Sequence, residues 1–294
     1  MRMLIVAASA ALLSACAATH TDAAAPQTAA APEPESIALE WRLGGFAGPE
    51  SAIMSADRSF FYVSNVNGSG TEKDGNGFIS RVSVSGEMLQ REWATGLDAP
   101  KGIFLAGDTL YATDIDQIVA IDAATGAIRG RTPVPGAAFL NDVTRAPDGT
   151  ILFTDTRNQR IHAMRDGAVT VWLEDALLDS VNGLLPEPNR LIVTTMTGGA
   201  GRLLAVDYQT RAITVLAEGI GRGDGVGALG QGRYIVSSVP GQMHVIGADG
   251  AVRTILDVSG DPRGLNDFHL EGAMLYQAHL GANEISAYRV TGVR

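Results

Sequence analysis

The stretch Leu110-Tyr111-Ala112-Thr113-Asp114, then Ile118-Val119-Ala120-Ile121-Asp122, then the turn Thr125-Gly126, decides the fold. It reads as a short strand, a second strand of alternating character and a hairpin turn. The first phrase returns as Phe60-Phe61-Tyr62-Val63-Ser64, Ile151-Leu152-Phe153-Thr154-Asp155, Leu191-Ile192-Val193-Thr194-Thr195, Tyr234-Ile235-Val236-Ser237-Ser238 and Leu275-Tyr276-Gln277-Ala278-His279. With Tyr62, Tyr111, Phe153, Ile192, Ile235 and Tyr276 as markers, the steps are 49, 42, 39, 43 and 41 residues. A unit of about 40 residues that holds four short strands is a propeller blade. Six such units predict an all-β, six-bladed β-propeller. The strand Ile37-Ala38-Leu39-Glu40-Trp41-Arg42-Leu43, ahead of the first unit, is spare and suited to complete the last blade, which removes the exposed edge an open ring would leave.

Outside the repeats, Met1-Arg2 and an apolar run from Met3 to Leu13 lead into Leu13-Ser14-Ala15-Cys16, the layout of an export signal too short to span a membrane. The Leu-Ser-Ala-Cys ending resembles a bacterial lipobox, which implies lipidation of Cys16; cleavage after Ala17 in an ordinary signal is the alternative, and both export the chain. The expected organisation is a signal peptide over 1–15, a flexible lipoprotein tether over 16–36 and the propeller over 37–294. Residues 17–36 are Ala, Pro, Thr, Gln and Glu with almost no branched apolar side chains, a composition that offsets little ordering entropy. The location implied is the bacterial cell envelope, on the periplasmic side, with the lipid anchor as the sole membrane contact. Cys16 is the one cysteine, so no internal disulfide forms. A formal net charge of −10 argues against a nucleic-acid partner.

Ten to twelve residues before each marker lies a link from one blade to the next: Gly48-Pro49-Glu50, Ala99-Pro100-Lys101-Gly102, Leu140-Asn141-Asp142, Val181-Asn182-Gly183, Gly223-Asp224-Gly225 and Leu265-Asn266-Asp267. Pseudo-symmetry gathers Glu50, Lys101, Asn141, Asn182, Asp224 and Asn266 at the channel mouth. Asn, Asp and Gly also suit plain turns, but Glu50 and Lys101 do not, and clustered carboxylates repel without a cation. Carboxylates and carboxamides together suit a hard divalent cation, Ca²⁺ better than Mg²⁺, with Mn²⁺ or Zn²⁺ as alternatives; no histidine occupies a link position. The insertion over 65–78 lies on the same face and is read either as a lid or as a solvated loop.

These links resemble those of the gluconolactonase and regucalcin (senescence-marker) family of six-bladed, metal-dependent lactonases. The phrases are Gly48-Pro49-Glu50, Asn141-Asp142-Val143 with Pro147-Asp148-Gly149, Asn182-Gly183-Leu184 and Asp224-Gly225. The resemblance implies Glu50, Asn182 and Asp224 as metal ligands, with Asn141 beside the metal and in contact with substrate or water. It implies a hydrolase that opens a lactone or related ester. Asp224, or failing that Asp142, is the expected base for the attacking water, and Lys101, Asn141, Phe139 and Asn266 are the expected substrate contacts. One departure is Phe139, where sugar-lactone members commonly carry arginine; it points to a more apolar substrate or to none. The alternative is a non-catalytic, metal-stabilised propeller that binds a ligand or protein in the envelope. His162, His244, His269 and His279 fall on or beside strands and read as structural.

Made in a bacterial host, a Cys16→Ser variant is expected to lose incorporated lipid label and to leave the membrane fraction. Unchanged labelling and fractionation would refute the lipobox reading.

Overall fold

A computed structural model describes residues 35–293. Cys16, the signal read over 1–15 and nearly all of the tether read over 16–36 lie outside the described residues. What is described forms six antiparallel sheets of four strands, with helical structure confined to the single turns Ala176–Leu178, Thr197–Gly199 and Leu280–Ala282. The innermost strands are Pro49–Met54, Pro100–Ala106, Leu140–Arg145, Val181–Pro186, Arg222–Gly230 and Phe268–Glu271, each a neighbour of the next around the axis. The repeated phrases form the second strands. Flanked on both edges and packed on both faces, they are buried almost throughout, which is why they read as continuous apolar runs rather than alternating ones.

The ring closes through Ile37–Gly44, which pairs antiparallel with Glu284–Val290 as the outermost strand of blade six. Trp41 on this strand stacks on Phe61 of blade one at 6.2 Å and meets Tyr276 of blade six at 6.1 Å between ring centroids. Glu35 adds ion pairs to Arg233 and, at 2.5 Å, to Arg253 of blade five. The core is likewise distributed. Each seam between neighbouring blades holds its own buried cluster, such as Phe61 with Tyr276 and Ile285, or Tyr62 with Leu97 and Leu110.

Three local devices aim the links. In blades one to five the pairing slips by one residue at the start of the innermost strand, between Pro49 and Ala52, Pro100 and Ile103, Leu140 and Val143, Val181 and Leu184, and Gly223 and Val226. The unpaired residues are Glu50-Ser51, Lys101-Gly102, Asn141-Asp142, Asn182-Gly183 and Asp224-Gly225, and a bulge of this kind redirects side chains off the sheet. In blades two, four and five a hydroxyl on the second strand, Thr113, Thr194 or Ser237, then ties to the next blade's link. Thr194 Oγ1 accepts from the Gly183 N–H at 2.8 Å and donates to the Asp224 carbonyl at 2.6 Å, and Ser237 does the same for Gly225 and Asn266 at 2.9 and 2.7 Å. Last, the side chain ending the second strand caps the incoming link: Asp114 accepts from the Asp98 and Ala99 N–H groups, and Asp155 from those of Ala138 and Phe139.

One marker is out of register with the others. Val143 pairs with Phe153 as Leu184 pairs with Val193, so the blade-three counterpart of Ile192 is Leu152, one residue before the Phe153 chosen on sequence.

Close approach between inner strands demands small residues. A Cβ at Gly183 would lie 2.1 Å from the Asp224 carbonyl oxygen and 2.8 Å from Thr194 Oγ1. Gly183→Ala is therefore expected to cost about 2–3 kcal/mol by overpacking, measured by urea denaturation. Gly130→Ala, on an outer strand with nothing within 4 Å of the added carbon, should be neutral or mildly stabilising. Equal effects of the two changes would contradict the packing described.

Candidate active site

All six link residues chosen on sequence line one cavity of about 380 Å³ at the channel mouth: Glu50, Lys101, Asn141, Asn182, Asp224 and Asn266. Five of them are nearly inaccessible, with Asn182 1 % and Asp224 2 % exposed. The sharpest feature is what their oxygens lack. Glu50 Oε2, Asn141 Oδ1, Asn182 Oδ1 and Asp224 Oδ1 are buried and have no donor from the protein. The amide nitrogens are occupied instead, Asn141 Nδ2 donating to Thr156 Oγ1 at 3.4 Å and Asn182 Nδ2 lying 3.1 Å from Met196 Sδ, which turns the oxygens toward the cavity. Leaving one buried acceptor unpaired costs about 1–3 kcal/mol, so four together weigh heavily against a domain's total stability of roughly 5–15 kcal/mol.

Carboxylates are crowded along the channel. Burial pushes Glu50 well above the usual carboxylate range, with Asp224 and Asp267 adding repulsion and Lys101 opposing it. Asp224 is likewise raised by burial and by Asp267, against Arg222. Asp142 is raised by burial and by Asp267, Glu50 and Asp224, and burial takes Asp267 up to about 6. The donor set at the mouth is two carboxylates and two carboxamides, and it fits a hard divalent cation. Among the described residues no three His, Cys, Asp or Glu side chains form a metal cage by themselves, so the amide oxygens are essential to that fit.

Asp142 is placed apart from the other chosen residues. With Asp267 it lines a second cavity of about 460 Å³ farther down the channel, walled by Ile103, Leu184, Val226 and Leu270, which shares no lining residue with the mouth. Asp267 is held there by the Ser51 hydroxyl at 2.5 Å. Lys101 does not reach out to solvent. It is 3 % exposed, and its Nζ donates to the Gly70 carbonyl at 2.9 Å and the Ala99 carbonyl at 3.2 Å. The 65–78 insertion thus closes over one side of the cavity through Val66, Gly68 and Gly70, and it is tied to blade two by Lys73 with Asp116 at 2.7 Å.

Phe139 lines the cavity as expected, but in unexpected company: Lys101 Nζ lies 4.3 Å and the Arg157 guanidinium 4.7 Å from its ring centroid. Arg157 and Arg222 were missed by sequence reasoning. Arg157 stands two residues past the end of the second strand of blade three, on the face where the 65–78 loop lies, so the same topological rule reaches it. The histidines are structural. His279 bonds the Gly264 carbonyl and Ser286 Oγ, and His244 bonds Thr254 Oγ1. A larger cavity of about 810 Å³ between blades three and four, near Trp172 and Tyr208, lies at the opposite ends of the strands and holds none of the link residues.

A scan against known protein families finds no match, and neither does a search of curated protein sequences. Solved structures give the class. A "putative gluconolactonase" matches at 17 % identity over 88 % of this chain and 93 % of its own, with a TM-score of 0.63. Streptogramin B lyase matches at 13 % identity over 87 % and 98 %, also with a TM-score of 0.63. A catalytically inactive virginiamycin B lyase from Staphylococcus aureus with quinupristin matches at 14 % identity over 87 % and 99 %, with a TM-score of 0.59. At such identities the likeness is one of fold, the six-bladed propeller.

Calcium is expected to raise the melting temperature over that in chelator, and the rise to shrink as pH falls from about 8 to 5. The sign follows from the raised carboxylates. Their ionisation costs the folded state stability above the unfolded carboxylate range near pH 4, and that cost is relieved as pH falls back through the folded values, about 6 for Asp267. His244, His269 and His279, whose burial lowers their pKa, pull the metal-free protein the other way in this window, so the difference between calcium and chelator is the quantity to read. Asp224→Asn and Glu50→Gln should reduce the rise and leave the metal-free protein unchanged or slightly steadier. Equal destabilisation with and without metal would mark the two carboxylates as structural acceptors.

Proposed function

We propose that this chain is a metal-dependent hydrolase of a lactone or related ester, exported and held in the bacterial envelope by a lipid on Cys16. The observation that carries the reading is the convergence of four buried, donorless side-chain oxygens on one small cavity at the mouth of the channel. Glu50, Asn141, Asn182 and Asp224 would hold the cation, with Ca²⁺ the best fit and Mg²⁺, Mn²⁺ or Zn²⁺ alternatives. Bound there, the metal supplies polarisation of the carbonyl and a counter-charge for the oxyanion.

The chain's own groups do the rest. Asp224, buried and lining the cavity, is placed to take the proton of a water that attacks the carbonyl carbon. On collapse the ring C–O bond breaks and the departing oxygen takes that proton back, giving the hydroxy acid. Asp142, raised by burial and by the charges of Asp267, Glu50 and Asp224, lines the lower cavity and not the mouth, which leaves the base role to Asp224. The Val66, Met196, Val239 and Leu280 side chains line the cavity and exclude water from one side. The overlying 65–78 loop suits a lid. A fold shared with a gluconolactonase-type protein and with lyases is compatible with this chemistry, although fold alone assigns none.

Protein stripped with chelator and reloaded with Ca²⁺, Mg²⁺, Mn²⁺ or Zn²⁺ should be screened against lactones and aryl esters. Turnover is expected only with metal, and Asp224→Asn should lower kcat by about 10²-fold or more. Metal-dependent stabilisation with no turnover across the screen would leave the non-catalytic binding module as the reading.

A further inference from the structure

The cavity holds an excess of positive charge that the hydrolytic reading does not use. In a chain with 32 acidic and 22 basic residues, three cations, Lys101, Arg157 and Arg222, line this one site against two carboxylates. Arginines elsewhere on the surface are commonly ion-paired, as Arg129 is with Asp108 and Asp122 or Arg160 with Glu174. Neither Arg157 nor Arg222 has a carboxylate within ion-pair distance among the described residues. Two of the cations have some compensation: Glu50 acts on Lys101, and Arg222 acts on Asp224. Arg157 has none, and it repels Lys101 across the face of Phe139. Contact with an aromatic ring attracts a cation without neutralising it.

A divalent ion at Glu50 and Asp224 would sharpen the imbalance, because it would cancel the only acids at the mouth and leave Lys101 facing both the metal and Arg157. Arg157 and Arg222 reach the mouth from exposed positions while Lys101 is buried, so the repulsion falls mainly on Lys101 and is relieved when a counter-ion arrives. Lys101 also keeps one N–H free, since two of its three donors go to the Gly70 and Ala99 carbonyls.

We infer that the ligand of this cavity is a monoanion whose carboxylate is bound by Arg157 and Lys101 above Phe139, while its reacting carbonyl lies toward Glu50 and Asp224. The inference rests on the lactone or ester reading and narrows its substrate class to carboxylated lactones or esters. Carboxylate matches the planar guanidinium fork. Phe139, which on sequence pointed to an apolar substrate, becomes instead the ring that both cations approach, at 4.3 and 4.7 Å from its centroid. It follows that metal and carboxylate assist each other's binding, each relieving the repulsion the other meets.

The test separates binding from chemistry. Cyclopentanone carboxylate and the matching carboxamide, which have no ester to cleave, are titrated calorimetrically into the calcium-loaded full chain. The carboxylate should bind about tenfold tighter or better, as a charge-assisted contact implies. Arg157→Gln should abolish that preference at unchanged melting temperature, and the preference should weaken when calcium is replaced by chelator. Arg165→Gln, the same change of net charge at the opposite ends of the strands, should keep it. Equal binding of the two probes, a preference that survives Arg157→Gln, or no binding of either probe overturns the inference. Turnover distinguishes its failure from that of the parent reading. Equal hydrolysis of γ-butyrolactone carboxylate and its amide, insensitive to Arg157→Gln, would refute the carboxylate and keep the hydrolase; selective binding with no hydrolysis of either would do the reverse.

Discussion

Closure of the ring by Ile37–Gly44 against Glu284–Val290 is the constraint on which the rest depends. An open stack of blades could relax apart at its inner edge. A closed one cannot, so six innermost strands must start around one axis, and whatever stands at their first turns is forced together. Clustering of Glu50 with Asp224 is thus imposed by topology and opposed by electrostatics. What holds it is the set of hydroxyls, glycines and strand-end carboxylates that tie links to their neighbours, together with the six separate seam cores. The free energy that gathers the site comes from apolar seams far from it, which is why Glu50 and Asp224 can be kept at a few per cent exposure with one oxygen each, Oε2 and Oδ1, unmet by a protein donor.

Much of this was legible in the sequence because blades repeat. A period of about 40 residues fixed fold and blade number, and equal offsets from the markers put Glu50, Lys101, Asn141, Asn182, Asp224 and Asn266 in one place without any knowledge of distances. The offsets were uneven by up to two residues, and the structure shows why: bulges and turns of different length absorb the difference, and in blade three the apolar pair Leu152-Phe153 offered two equally good markers. What the repeats could not show was vertical position. Asn141 and Asp142 are neighbours in sequence, yet the bulge sends one to the mouth and the other into the lower cavity, and no pattern of residue types distinguishes them. Nor could they show Arg157, since connections between second and third strands vary in length and carry no shared phrase.

Cavity size would have misdirected the search. The cavity near Trp172 and Tyr208 is roughly twice as large as the mouth; there Arg165 pairs with Asp148 and Arg211 stacks on Trp172 at 4.1 Å, and the unpaired buried atoms are the Tyr208 hydroxyl and Arg211 Nη1. At the mouth the unpaired buried atoms are all acceptors, one side-chain oxygen each of Glu50, Asn141, Asn182 and Asp224, while the two asparagines spend their nitrogens on Thr156 and Met196. Unmet valence at fixed geometry, more than volume, marks the place where a ligand would complete the structure.

The division of labour between strand and loop also bears on which parts of the site can change. Residues in the bulges are fixed by the ring, so changing their positions would mean rebuilding a blade; side chains that face the cavity can change, whereas Gly102, Gly183 and Gly225 are held to glycine by the neighbouring blade. Residues such as Arg157 and Gly70 come from connections on the same face, which tolerate changes in length at little cost because loop closure entropy grows slowly with length. The placement of the link side chains is therefore the conservative part and the charge around them the adjustable part. In this chain Phe139 occupies a position two residues before Asn141, and a guanidinium reaches the same spot from a different connection. A cation can be supplied to one point in the cavity from either side of a blade, so substrate charge is set by the sum over the mouth and cannot be read from any single link.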